Sequence, residues 1–75
     1  MSPDPDKIDD AVLALLLLGA TGNRAWKGLD VDALSRLHDK GFISDPMTRS
    51  QTIEFSKEGL ERARRLQAEL FDRDA

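Results

Sequence analysis

DVDALSRLHDKGFISDPMTRSQTIEFSKEGL, residues 30–60, is the stretch that dictates the architecture. Asp30 is a helix cap, and Leu29 before it can staple to Leu34 at the fourth helical position. Val31, Leu34 and Leu37 give the helix a core stripe, and Gly41 stops it in the left-handed conformation. Phe42 can then fold back on Leu37, as a Schellman end requires. Phe42–Asp45 and Gln51–Phe55 read as the arms of a hairpin, because Ile53 and Phe55 alternate with Thr52, Glu54 and Ser56. Asp45-Pro46 opens the turn, with proline pre-setting its first central residue. Ser56 caps a last helix, onto which Phe55 can staple through Leu60.

Upstream, Asp4 caps a first helix with Pro5 at its first position and Asp6 in its first turn, where a negative charge suits the helix dipole. That helix should run to about Leu18 and stop at Gly19 and Thr21-Gly22. At 100° per residue, Ile8, Ala11, Val12, Leu15, Leu16 and Leu18 fall on one broad face, the expected core side. Leu13 and Leu17 fall on the other side, near Asp6 and Asp10. Residues 20–29 (ATGNRAWKGL) read as a glycine-punctuated connection that admits a short helical turn after Asn23. In the last helix Leu60, Ala63, Leu66, Leu70 and Phe71 share a face with Gln67 intruding. Glu58 with Arg62 and Glu61 with Arg65 make i,i+4 pairs on its outside. The expected fold class is α+β in the order α-α-β-β-α, with a two-stranded antiparallel hairpin, as one domain over 1–75 whose ends, 1–4 and 72–75, are loose.

A chain of 75 residues has one modest core and buries only ~60% of its unfolded surface, so its stability is marginal. It has no cysteine and one histidine, which excludes disulfides, thiolate zinc sites and a histidine metal cluster. Self-association is the most available further source of stability. The net charge of −3 argues against general affinity for nucleic acid or acidic membranes. The run Ala11–Leu18 is far short of the ~20 apolar residues a membrane span needs. Asp4, Asp6, Asp9 and Asp10 precede it where a signal peptide carries positive charge. A cytoplasmic protein is the expectation.

LSRLHDKGFISD followed by IEFSKEGL resembles the end of the recognition helix, the wing and the next helix start of winged-helix transcription regulators. KIDDAVLALLLLG, RAWKGLDVDALSRLHDKGFISDP and EGLERA resemble, across nearly the whole chain, a family of short bacterial proteins of unknown function. The first resemblance implies a truncated winged-helix-like domain and DNA binding as an alternative function; the second brings no activity. Two features count against DNA. Only Gly19–Leu29 lies between the first helix and the Asp30 helix, too little for a full helix-turn-helix. The would-be recognition helix carries Asp30, Asp32 and Asp39 against Arg36 and Lys40, the wrong sign for phosphate.

No residue cluster assembles a catalytic, metal or cofactor site, so the expectation is a non-enzymatic protein with no cofactor. His38 on the apolar side of its helix reads better as a boundary residue with a local hydrogen bond than as a general base. The four N-terminal aspartates lack the spacing of a calcium loop and suit a helix start. Arg62, Arg64 and Arg65, interleaved with Glu58, Glu61 and Glu69, read as a solvated face. Arg24, Trp26 and Lys27, with Arg49 in the hairpin turn, are the candidate contacts for a ligand or an unidentified partner. A tryptophan closing one end of a small core is the commoner role. Leu13 and Leu17, with Leu16 at their border, are the expected interface of a homodimer. The competing arrangement folds the C-terminal helix over this side, and then Leu13→Asp would unfold the monomer.

Overall fold

A computed structural model describes residues 4–71. The expected loose ends therefore lie outside the described residues, except for Asp4, whose carboxylate accepts from the Asp6 N–H at 3.0 Å and caps α1. The elements are α1 (Pro5–Leu18), β1 (Arg24–Trp26), α2 (Val31–Asp39), β2 (Thr52–Glu54) and α3 (Lys57–Phe71). The class is α+β, with three helices and a two-stranded antiparallel sheet.

The local signals around α2 and α3 are realised. Asp30 accepts from the Asp32 N–H at 3.4 Å. Gly41 sits at φ 81°, donating to the His38 carbonyl at 2.9 Å while Phe42 donates to Leu37 at 3.0 Å. Those are the two bonds of a Schellman end. Ser56 Oγ accepts from the Gly59 N–H at 3.0 Å and donates to the Gly41 carbonyl at 2.6 Å, tying the start of α3 to the end of α2. A Cβ on Gly59 would fall inside contact distance of the Phe42 carbonyl, so α3 approaches the backbone after α2 closely enough to need glycine there.

The hairpin arms meet at an Ile43↔Phe55 bridge, with the Ser44 N–H donating to the Glu54 carbonyl at 2.8 Å. They part there, because the Glu54 N–H donates to the Ser44 side chain at 2.9 Å and Pro46 has no N–H to offer. The regular ladder of β2 instead forms with β1, in the register Arg24↔Glu54, Ala25↔Ile53, Trp26↔Thr52. Residues 24–26, expected within a connection that admitted a helical turn, are thus a strand. Burying Ala25 opposite Ile53 (3% and 1% exposed) places one face of this short sheet on the core. Thr21-Gly22-Asn23-Arg24 turns tightly into β1, with Gly22 at φ 64°.

The core runs from Val12, Leu13 and Leu16 of α1 through Leu34 and Leu37 of α2 and Ile53 and Phe55 to Ala63 and Leu66 of α3. Asp10 pairs with Arg62 and the Ala14 carbonyl accepts from Gln67, so α1 and α3 lie side by side in the same direction. Asp9 pairs with Arg36, and Lys40 with Asp6, so α2 runs opposite to α1. The buried stripe of α1 is Asp9, Val12, Leu13, Ala14 and Leu16, turned by roughly one residue, ~100°, from the expected face. Leu13 is fully buried and Leu17 half-buried, while Leu15 and Leu18, expected inside, are 45% and 67% exposed. The cause is α3, which covers the side on which Leu13 and Leu17 sit. In α2, Ala33 takes the buried position expected for Val31, which is exposed. Leu70 and Phe71 are exposed at the end of α3.

Candidate functional site

The N-terminal half of α1 carries a charge cluster that ties three helices together. Asp9 is fully buried. Its carboxylate accepts from Arg36 Nε at 2.9 and 3.0 Å, from Arg36 Nη2 at 2.8 Å and from Lys40 Nζ at 3.0 Å. Burial works to raise the Asp9 pKa, but the hydrogen bonds from Arg36 and Lys40 outweigh it and hold the carboxyl below its usual value. Arg36 is raised by its hydrogen bond to Asp9. For Lys40, burial pulls downward, and the bonds to Asp9 and Asp6 raise it overall. Asp10 receives Arg62 at 3.2 Å, so Arg62 faces α1 and is not part of a solvated arginine face; Arg64 and Arg65 are exposed. Of the four aspartates expected only to suit the helix start, Asp6, Asp9 and Asp10 therefore reach across to α2 and α3, and Asp4 alone serves as the cap.

His38 Nδ1 lies 3.0 Å from the Ile43 carbonyl, a geometry that assigns the proton to Nδ1. Among the described residues no buried side-chain nitrogen or oxygen lacks a partner.

The C-terminal half of α1 is the opposite in character. Leu15, Leu16 and Gly19 form one wall of an open groove of about 310 Å³, and Trp26, Gly28 and Leu29 form the other. Trp26 is 65% exposed. It does not close the core, because β1 turns Ala25 inward and so turns Arg24 and Trp26 outward. The indole folds against Gly28, where a Cβ would come within 2.8 Å of Trp26 Nε1. Glycine at that position lets the ring lie along the backbone toward α1.

The candidate contacts from the sequence separate here. Arg24 pairs with Glu54 at 2.6 Å and reaches Thr52 Oγ1 at 3.4 Å. Lys27 donates to the carbonyls of Pro46 and Thr48, both at 2.7 Å, and latches the hairpin turn to β1. Arg49 is exposed at that turn. Of the basic-aromatic trio, only Trp26 lines the groove. Of the expected dimer leucines, Leu13 and the bordering Leu16 are 0% and 2% exposed and Leu17 is half-buried inside the monomer, so no partner can reach Leu13 without unfolding it. Leu15, Leu18 and Leu29 escape a sequence pattern as surface residues, because periodicity puts the first two on the core side of α1 and the third in a staple.

No helix among the described residues is long and apolar enough to cross a membrane. No solved structure matches the chain. The curated protein described as "Uncharacterized protein y4hR", from Sinorhizobium fredii (strain NBRC 101917 / NGR234), is 49% identical over 74 residues, covering 97% of this chain and 100% of its own length. The family described as Domain of unknown function (DUF6429) matches residues 4–73, from the Asp4 cap past the end of α3. Helices, sheet and groove all fall within that span, and the chain belongs to this family of bacterial proteins of unknown function.

Proposed function

We propose that the protein is a cytoplasmic, non-enzymatic docking module whose contact surface is the groove between α1 and the β1–α2 connection. The observation that carries this reading is the exposure of Trp26, Leu15 and Leu29 along the groove, with Leu18 also exposed on the same half of α1. Large apolar residues gathered on one side of a small domain mark interaction sites, and tryptophan is the residue most enriched where binding energy concentrates. The groups a catalyst would draw on are engaged elsewhere: Asp9 with Arg36 and Lys40, Asp10 with Arg62, and His38 with the Ile43 carbonyl.

The alternative, DNA binding through α2, finds less support. Arg36 and Lys40 both turn toward Asp9, which leaves Asp30, Asp32 and Asp39 on the exposed surface of that helix. Residues 19–30 hold a turn and β1 and no helix. A helix-turn-helix lacks its first member there.

The test is site-specific photo-cross-linking in the native host. A photoreactive residue at Leu18 or Leu29 should give discrete protein adducts, and the same group at Arg64 should not. Adducts equally strong at Arg64, or absent from both Leu18 and Leu29, would overturn the reading.

A further inference from the structure

We propose that the occupant of this surface is a second copy of the chain, docked about a two-fold axis across the C-terminal half of α1. The inference rests on the docking reading above and names its partner.

The exposed strip of α1, Leu15 and Leu18, is flanked on both sides by further apolar residues. On one side are Trp26 and Leu29 across the groove. On the other lies the last turn of α3. Asp10 meets Arg62 and Ala14 meets Gln67, so the same register carries Leu70 and Phe71 level with Leu18. The exposures of these six residues range from 38% to 67%. With a whole large side chain offering ~150–250 Å², they present on the order of 500 Å² of apolar surface. That is at the upper end of the largest patch found on an ordinary monomer, ~300–600 Å². Homodimer interfaces are about 65% apolar. An apolar centre of that size therefore implies a contact of roughly 800 Å² per subunit, the area of a standard specific interface.

Charge allows like to meet like here. The carboxylates of α1 lie in its N-terminal half, paired with Arg36, Lys40 and Arg62. From Ala11 to Gly19 the helix carries no charged residue. Two copies can bring these halves together without opposing equal charges, and an isologous contact repeats every favourable pair twice.

The experiment is sedimentation of the purified full chain from about 5 to 500 µM, a range centred between micromolar and millimolar dissociation constants. Measurements are made in low and high salt, with Trp26→Ala, Leu18→Asp and Arg64→Asp alongside. The expected mass rises to twice 8.4 kDa by ~100 µM and holds in high salt, because apolar contact is not screened. Trp26→Ala and Leu18→Asp should raise the dissociation constant at least tenfold while keeping wild-type circular dichroism, and Arg64→Asp should leave it unchanged. A wild type that stays at 8.4 kDa throughout, or a dimer that dissociates in high salt, would overturn the proposal. So would a dimer indifferent to both Trp26→Ala and Leu18→Asp. A monomer whose Leu18 and Leu29 adducts in cells contain other proteins would sink the second copy as partner and leave the docking surface standing.

Discussion

Leu13→Ala should cost this domain a large share of its stability. Leu13 is 0% exposed, between the α1–α3 contact and the residues of α2. Truncation removes three buried carbons and leaves a cavity that the surrounding helices fill only in part, for which leucine-to-alanine changes cost ~2–5 kcal/mol. Total stability for a domain is ~5–15 kcal/mol, and a chain this small belongs near the lower end. The loss should therefore be visible as a fall in thermal midpoint of at least about 10 °C, at ~4–8 °C per kcal/mol for this size. Leu15→Ala is the internal control, because Leu15 is 45% exposed and its truncation should cost under ~1 kcal/mol in the monomer. Urea titrations followed by far-ultraviolet circular dichroism, at protein concentrations low enough to exclude association, give both numbers with a common slope. Equal costs for the two substitutions, or a larger cost for Leu15→Ala, would refute the orientation of α1.

Two further predictions concern the joints between helices. Gly59→Ala should lose about 3 kcal/mol or more, beyond the usual cost of overpacking, because the methyl meets the Phe42 backbone and not a movable side chain; a neutral result in urea would contradict that approach. Asp9 titrates below its unfolded value of 3.8. Its contribution is thus fully present above that pH and lost as pH falls through the folded value. Lys40 is raised above 10.5, so its contribution is full below that pH and fades as pH rises through the folded value. Asp9→Asn should flatten the acid limb of the stability–pH curve, and an acid limb identical to wild type would remove Asp9 from the account.

The caps were legible because each is written in neighbouring residues. Asp4 with Pro5, Asp30, Gly41 with Phe42, and Ser56 all act within a few positions of themselves. The facing of α1 was not. Ala11–Leu18 is apolar all round, so periodicity could not choose a side, and the residue that marks the buried stripe is a charged one, Asp9. Its burial depends on Arg36 and Lys40, 27 and 31 positions away, a dependence no local pattern carries. Strand β1 was missed for a similar reason: Arg24–Trp26 holds a single inward residue, Ala25, and its ladder is supplied by Thr52–Glu54. Missing β1 misplaced Trp26, and with the misassigned face of α1 it hid the groove.

The environment of Trp26, the chain's single tryptophan, tests the docking surface most directly. Its fluorescence and iodide quenching should be followed while the purified protein is concentrated from dilute solution. In dilute protein Trp26 should emit as a solvated indole and be quenched freely. On concentration its emission should shift to the blue and quenching should fall, in step with the rise in mass. A tryptophan shielded from iodide at every concentration would place the indole in the monomer core and contradict the account.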